Sequence, residues 1–87
     1  MEKLTLKNGS EFEGYALTSS GYLFVYVTGS DMKSVFNAFV EPEYTEEIIY
    51  TDVNDEQVTF TGFTKLISVR DEGNSLITAT MGVQFNV

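Results

Sequence analysis

Residues 22–40 read YLFVYVTGSDMKSVFNAFV, and this stretch changes its periodicity once, near the middle. From Tyr22 to Val27 the side chains are aromatic, β-branched or leucine without a break, the composition of a strand. Successive side chains of a strand point to opposite faces. Leu23, Val25 and Val27 therefore share one face, and Tyr22, Phe24 and Tyr26 the other. Both faces are apolar, so one is expected to be buried in this domain and the other in this domain or against a neighbour. Thr28-Gly29-Ser30 ends the strand. Beyond it Met32, Val35, Phe36, Phe39 and Val40 fall at i, i+3, i+4, i+7 and i+8, an amphipathic helical stripe. Ser30 is the expected N-cap, with Asp31 favourable in the first turn. Pro42 predicts the helix end near Val40 or Glu41. A helix of about ten residues does not persist alone in water, so it must pack on a sheet.

Working back from this stretch, Leu4-Thr5-Leu6-Lys7 alternates apolar and polar, and Asn8-Gly9 marks a hairpin. A two-residue loop would set Leu4 and Leu6 against Glu13 and Glu11. A three-residue loop, Lys7-Asn8-Gly9, sets Leu4 against Phe12 and keeps apolar residues on one face. That predicts a type I turn with Gly9 left-handed in a bulge. The second strand runs from about Glu11 to Thr18, with Gly14 a bulge or a point of close approach. Ser19-Ser20-Gly21 turns the chain into the Tyr22 strand.

Working forward, Ile48 to Val53 reads as a strand, Asn54-Asp55-Glu56 as a turn, and Gln57 to Phe60 as the continuing strand with Val58 and Phe60 on one face. The apolar parity shifts across Gly62 to Phe63, Ile67 and Val69, as at a bulge or sharp bend. A loop at Glu72-Gly73-Asn74 would pair Val69 with Ile77, Ile67 with Ala79 and Ser68 with Thr78. The tail from Gly82 to Val87 could extend an edge strand or lie loose. The expected fold is a single α+β domain over residues 1–87, mostly β. Three strands, one short helix and three strands form a bent antiparallel sheet or small open barrel of about six strands.

Composition narrows the chemistry. The 87 residues are 43% hydrophobic and 14% aromatic, enough for one core, and the chain is not a disordered acidic tail. Thirteen carboxylates against five basic residues give a net charge of −8, which disfavours direct binding to nucleic acid or to anionic lipid. There is no cysteine and no histidine, hence no disulfide, no thiolate metal site and no imidazole base. No basic region followed by an apolar run opens the chain, and no stretch approaches a membrane span, so the expected location is cytoplasmic or within a particle assembled there.

Serines are present, but no histidine can activate one; a Ser–Lys pair is formally possible with Lys33 or Lys65, and neither sits in a known motif. Glu41, Glu43, Glu46 and Glu47 offer carboxylate pairs for glycoside chemistry by number alone, and a solvated acidic face is the simpler reading. Asp52, Asn54 and Glu56 have the alternate spacing of a calcium loop. Gln57 stands where the glycine is needed and Phe63 where the closing glutamate belongs, so the stretch reads as a β-turn. Neither an enzyme nor a bound cofactor is expected. The candidates for contact with a protein partner are Tyr22, Phe24 and Tyr26, together with Glu41, Glu43, Glu46, Glu47, Asp52, Asp55 and Glu56. The aromatic trio has a structural reading too, as core beneath Met32, Phe36 and Phe39.

Two stretches carry a family resemblance. One is Leu4-Thr5-Leu6-Lys7-Asn8-Gly9 with Phe12-Glu13-Gly14. The other is Met32, Val35-Phe36 and Phe39, then Thr45-Glu46-Glu47-Ile48 and Tyr50, then Phe60-Thr61-Gly62-Phe63-Thr64-Lys65-Leu66. Together they resemble small uncharacterised proteins encoded in prophages of Gram-positive bacteria, often near tail genes. The resemblance implies a genetic setting and no activity of its own. With catalytic and nucleic-acid chemistry disfavoured above, the expected function is a structural or adaptor protein of a tail module, in the host cytoplasm or the virion, whose partner is a tail component or a second copy. The acids between Glu41 and Glu56 leave an alternative: an acidic mimic of nucleic acid that inhibits a host nucleic-acid-binding protein.

Overall fold

The computed structural model describes residues 2–83. The elements in chain order are β1 (Lys3–Leu6), β2 (Glu11–Ser19), β3 (Tyr22–Thr28), α1 (Met32–Phe39), α2 (Pro42–Thr45), β4 (Glu47–Thr51), β5 (Gln57–Thr61), β6 (Lys65–Gly73) and β7 (Leu76–Gly82). All strands join one antiparallel sheet of seven in the order β5-β4-β1-β2-β3-β7-β6, which is not closed into a barrel. Four strands follow the helices rather than the expected three, because β5 and β6 are separate strands. Gly62, with φ +85, lies in the connection between them.

Only residues 62–64 separate β5 from β6, which stand at opposite edges of the sheet. Four Cα–Cα steps of ~3.8 Å cannot span more than ~15 Å, so the sheet bends until its two edges approach at this corner.

The first hairpin has the expected loop. Leu4 pairs with Phe12, the Leu6 N–H donates to Ser10 O at 2.9 Å, and Gly9 has φ +91. Ser20 and Gly21, both at positive φ, form the two-residue turn between β2 and β3, as in a type I′ hairpin.

The last hairpin differs from expectation. Val69 pairs with Ala79, Arg70 with Thr78 and Ser68 with Thr80, two residues from the predicted register. The turn residues are Asn74 and Ser75, at φ +55 and +63, with Gly73 beside a bulge. A shift of two leaves every side chain on its original face, so hydrophobic patterning could not separate the two registers. Ile67 falls at the second bulge and is 48% exposed instead of facing the core.

The core lies on one face of the sheet. Leu4, Leu6, Ala16, Leu23, Val25, Val27, Ile48, Ile77, Ala79 and Met81 are buried there beneath Val35 and Phe39 of α1. The helix covers β6 and β7, and its Phe39 ring reaches Phe12 on β2 at 5.6 Å between centroids. Asp31, not Ser30, is the N-cap: its carboxylate accepts from the Ser34 N–H at 2.7 Å, and hydrogen bonding by the Ser34 side chain first, then by its backbone, holds the Asp31 pKa below the ordinary aspartate value. A carboxylate outcompetes the hydroxyl here because the bond is charge-assisted. Only Val35 and Phe39 of the helical stripe are fully buried. Met32, Phe36 and Val40 are half-exposed and line a groove of about 310 Å³ against Leu66, Ile67 and Val69. Pro42 ends α1 and also opens α2 at its first turn. α2 is tied to the first hairpin by the Lys7 N–H, which donates to Tyr44 O at 3.0 Å.

Candidate interaction face

The opposite face of the sheet has no helix over it among the described residues. Its side chains come from the odd positions of β2 and the even positions of β3, and the Ser19–Tyr22 turn pairing sets their neighbours. Tyr15 lies opposite Tyr26, with rings stacked 4.6 Å apart at 18°. Leu17 lies opposite Phe24, and the Tyr22 and Phe24 rings tilt together at 6.5 Å. Tyr22 is 44% exposed, Tyr15 and Leu17 nearly as much, and Phe24 and Tyr26 are half-buried.

The expectation that Tyr22, Phe24 and Tyr26 pack beneath the helix is therefore corrected. Leu23, Val25 and Val27 occupy that place, and the aromatic trio faces outward. Leu23, Val25 and Val27 pair with the buried Ala16, Ile77, Ala79 and Met81, so alternation turns the rings to the other side. Tyr15 and Leu17 extend the patch, and the sequence carried a signal for them. With Gly14 and Ala16 inward, their neighbours on β2 must be outward, against Tyr26 and Phe24.

Beside the rings the surface dips into a groove of about 400 Å³. Thr78 and Thr80 of β7 form its floor, Phe24 and Tyr26 one wall, and Ser68 and Arg70 of the edge strand β6 the other. Glu72 accepts from the Thr78 hydroxyl at 3.1 Å and lies 3.5 Å from Arg70 Nε, which ties the rim to the floor. The face thus offers rings, hydroxyls and one guanidinium, the mixture of a protein-contact surface.

The acidic candidates form two groups. Glu41, Glu43, Glu46 and Glu47 surround α2 and the start of β4, and Asp52, Asp55 and Glu56 lie in the turn beyond its end. β4 separates them by roughly 16 Å at ~3.3 Å per residue. Glu46 is paired with Lys7, whose pKa is raised first by that hydrogen bond and then by the charge behind it. The Asp52 carboxylate accepts from the N–H groups of Asn54 and Glu56 at 2.8 and 3.0 Å, so it builds the β-turn that the sequence suggested. No group of three or more carboxylates converges as a metal site would require among the described residues. Within the same residues no serine hydroxyl is hydrogen-bonded to Lys33 or Lys65. No described helix is long and apolar enough to cross a membrane.

Comparison of the chain with protein-family models, with curated proteins and with solved structures finds no match.

Proposed function

We propose that this protein is a non-enzymatic structural or adaptor protein of a phage or prophage tail module, acting through protein–protein contacts at its uncovered sheet face. One observation carries the reading: Tyr15, Leu17, Tyr22, Phe24 and Tyr26 stand together, partly exposed, on the side of the sheet away from the helix. A single-layer sheet has its own core on one side, and a contiguous apolar patch on the other is the surface a partner would bury. Leu17 and Phe24 at the centre, tyrosines at either end and Arg70 at the rim of the adjoining groove fit the composition of interface cores. The tail-module setting is supported by the resemblance of the hairpin, helix and Phe60–Leu66 segments to prophage proteins.

The test is site-specific photo-crosslinking in cells that assemble the particle. A photoreactive side chain at Leu17 should give one discrete adduct containing a tail component, and Phe24→Ser should abolish it. An adduct pattern no different from that of the same probe at Val53, exposed on the β4–β5 turn, would end this reading.

A further inference from the structure

The sheet has two edges, and they are built differently. β6 carries two register shifts, at Leu66/Ser68 and at Asp71/Gly73, and the charged residues Lys65, Arg70, Asp71 and Glu72. Bulges and charges are the devices that keep an edge from pairing with another chain. β5, Gln57-Val58-Thr59-Phe60-Thr61, has neither: it carries no charge and no proline, and its register with β4 is unbroken.

The unused hydrogen-bonding groups of β5 can be placed from its turn. The Asp52 N–H donates to Glu56 O at 2.9 Å, and bonded pairs recur at every second position of an antiparallel ladder. Tyr50–Val58 and Ile48–Phe60 are therefore the bonded pairs within the sheet. The N–H and C=O groups of Gln57, Thr59 and Thr61 point away from β4. No second strand pairs with them among the described residues, and Val58 is 50% exposed.

We propose that β5 is a homodimerisation edge, two copies pairing antiparallel about a two-fold axis at Thr59. The strand is self-complementary in this register. Gln57 meets Thr61, Val58 meets Phe60 and Thr59 meets Thr59 of the second copy, so polar faces polar and apolar faces apolar. Outward amides meet outward amides at all three odd positions. The charges agree as well. Continuing the register brings the acidic Asp55-Glu56 turn of each copy to the Gly62–Lys65 corner of the other, where the exposed Lys65 stands. A second copy is the occupant that satisfies the apolar, hydrogen-bonding and charge patterns together. Five-residue strands make a small interface, so the dimer belongs to the transient class. The β5 edge is a different surface from the aromatic face, three strands away from β2.

Sedimentation equilibrium tests it, from roughly 10 µM to roughly 1 mM, the range in which interfaces below ~1,200 Å² associate. The average mass should rise from 9.7 kDa toward twice that value. Thr59→Pro removes an outward N–H that the sheet does not use, and should leave a monomer with unchanged circular dichroism. Thr59→Lys sets like charges across the axis and should do the same if the proline variant fails to fold. The chain has no cysteine, so Thr59→Cys should form a disulfide-linked dimer under mild oxidation, and Thr18→Cys, exposed three strands away, should not. A monomer at every concentration would overturn the proposal, whether the β5 amides exchange freely or are protected by another occupant. A dimer indifferent to Thr59→Pro and Thr59→Lys would also overturn it.

Discussion

Gly14 passes so close to Tyr26 that a Cβ added to it would stand 1.9 Å from the Tyr26 carbonyl oxygen. The obstacle is backbone in the middle of the sheet, paired on both sides, so it cannot swing away. Gly14 also has φ +154, a region that side chains rarely adopt. Gly14→Ala should therefore lower unfolding free energy by about 3 kcal/mol or more. That is a large share of the roughly 4–13 kcal/mol expected of a domain this size. Urea denaturation followed by circular dichroism measures it.

Gly9 and Asp55 hold matching places in two loops of the same kind. Each follows a three-residue path in which its own N–H donates back to the residue that opens the loop, Leu6 or Asp52. Gly9 has φ +91 and Asp55 φ +62. The left-handed conformation costs a side chain about 1–2 kcal/mol, so Gly9→Ala should destabilise by about that amount. Asp55→Gly should move the other way by about 0.5 kcal/mol, relief of strain outweighing the gain in unfolded-chain entropy. Opposite signs in the two denaturation midpoints are the result to look for.

Phe39 and Phe36 sit on one short helix with unequal roles. Phe39 is fully buried against Phe12, and Phe36 is 46% exposed. Phe39→Ala should cost about 3–5 kcal/mol through lost burial and the cavity left behind. Phe36→Ala should cost less than about 1.5 kcal/mol, since half its surface is already in water. Thermal melts of the two variants distinguish this order from the equal loss that a fully inward stripe would give.

Tyr50 donates its hydroxyl to the Glu2 carboxylate, and its pKa is pushed up to about 12, first by that hydrogen bond, then by desolvation and the neighbouring negative charge. The folded state holds this proton more tightly than the unfolded chain, whose tyrosines titrate near 10. Its contribution to stability is complete below about pH 10 and disappears as pH rises through about 12. A tyrosinate absorbance titration should show a component near pH 12 that is missing in Tyr50→Phe.

The Lys7-Asn8-Gly9 loop was readable because wrong parity would have buried glutamates. The Glu72–Asn74 loop misled because registers two residues apart bury the same side chains. The choice was made by backbone geometry at Asn74 and Ser75, which need positive φ and carry only a weak residue signature for it. The Tyr22–Val27 strand was clear as a strand, but two apolar faces gave no cue to which one the helix takes. Alternation along β2 marks Tyr15 and Leu17 as sharing a face, and the pairing with β3 places them beside Tyr26 and Phe24. The acidic residues were conspicuous in the sequence, and the ladder spread them to two ends of β4.

The pairing of β3 with β7 has a consequence for how the chain matures. The greasiest strand lies in the interior of the finished sheet, yet one of its two neighbours is residues 76–82, some fifty positions later. During synthesis β3 must wait with one flank bare and both faces apolar while residues 29–75 emerge. That interval is when wrong partners can add to it, so slowing translation should raise aggregation without lowering the stability of molecules already folded.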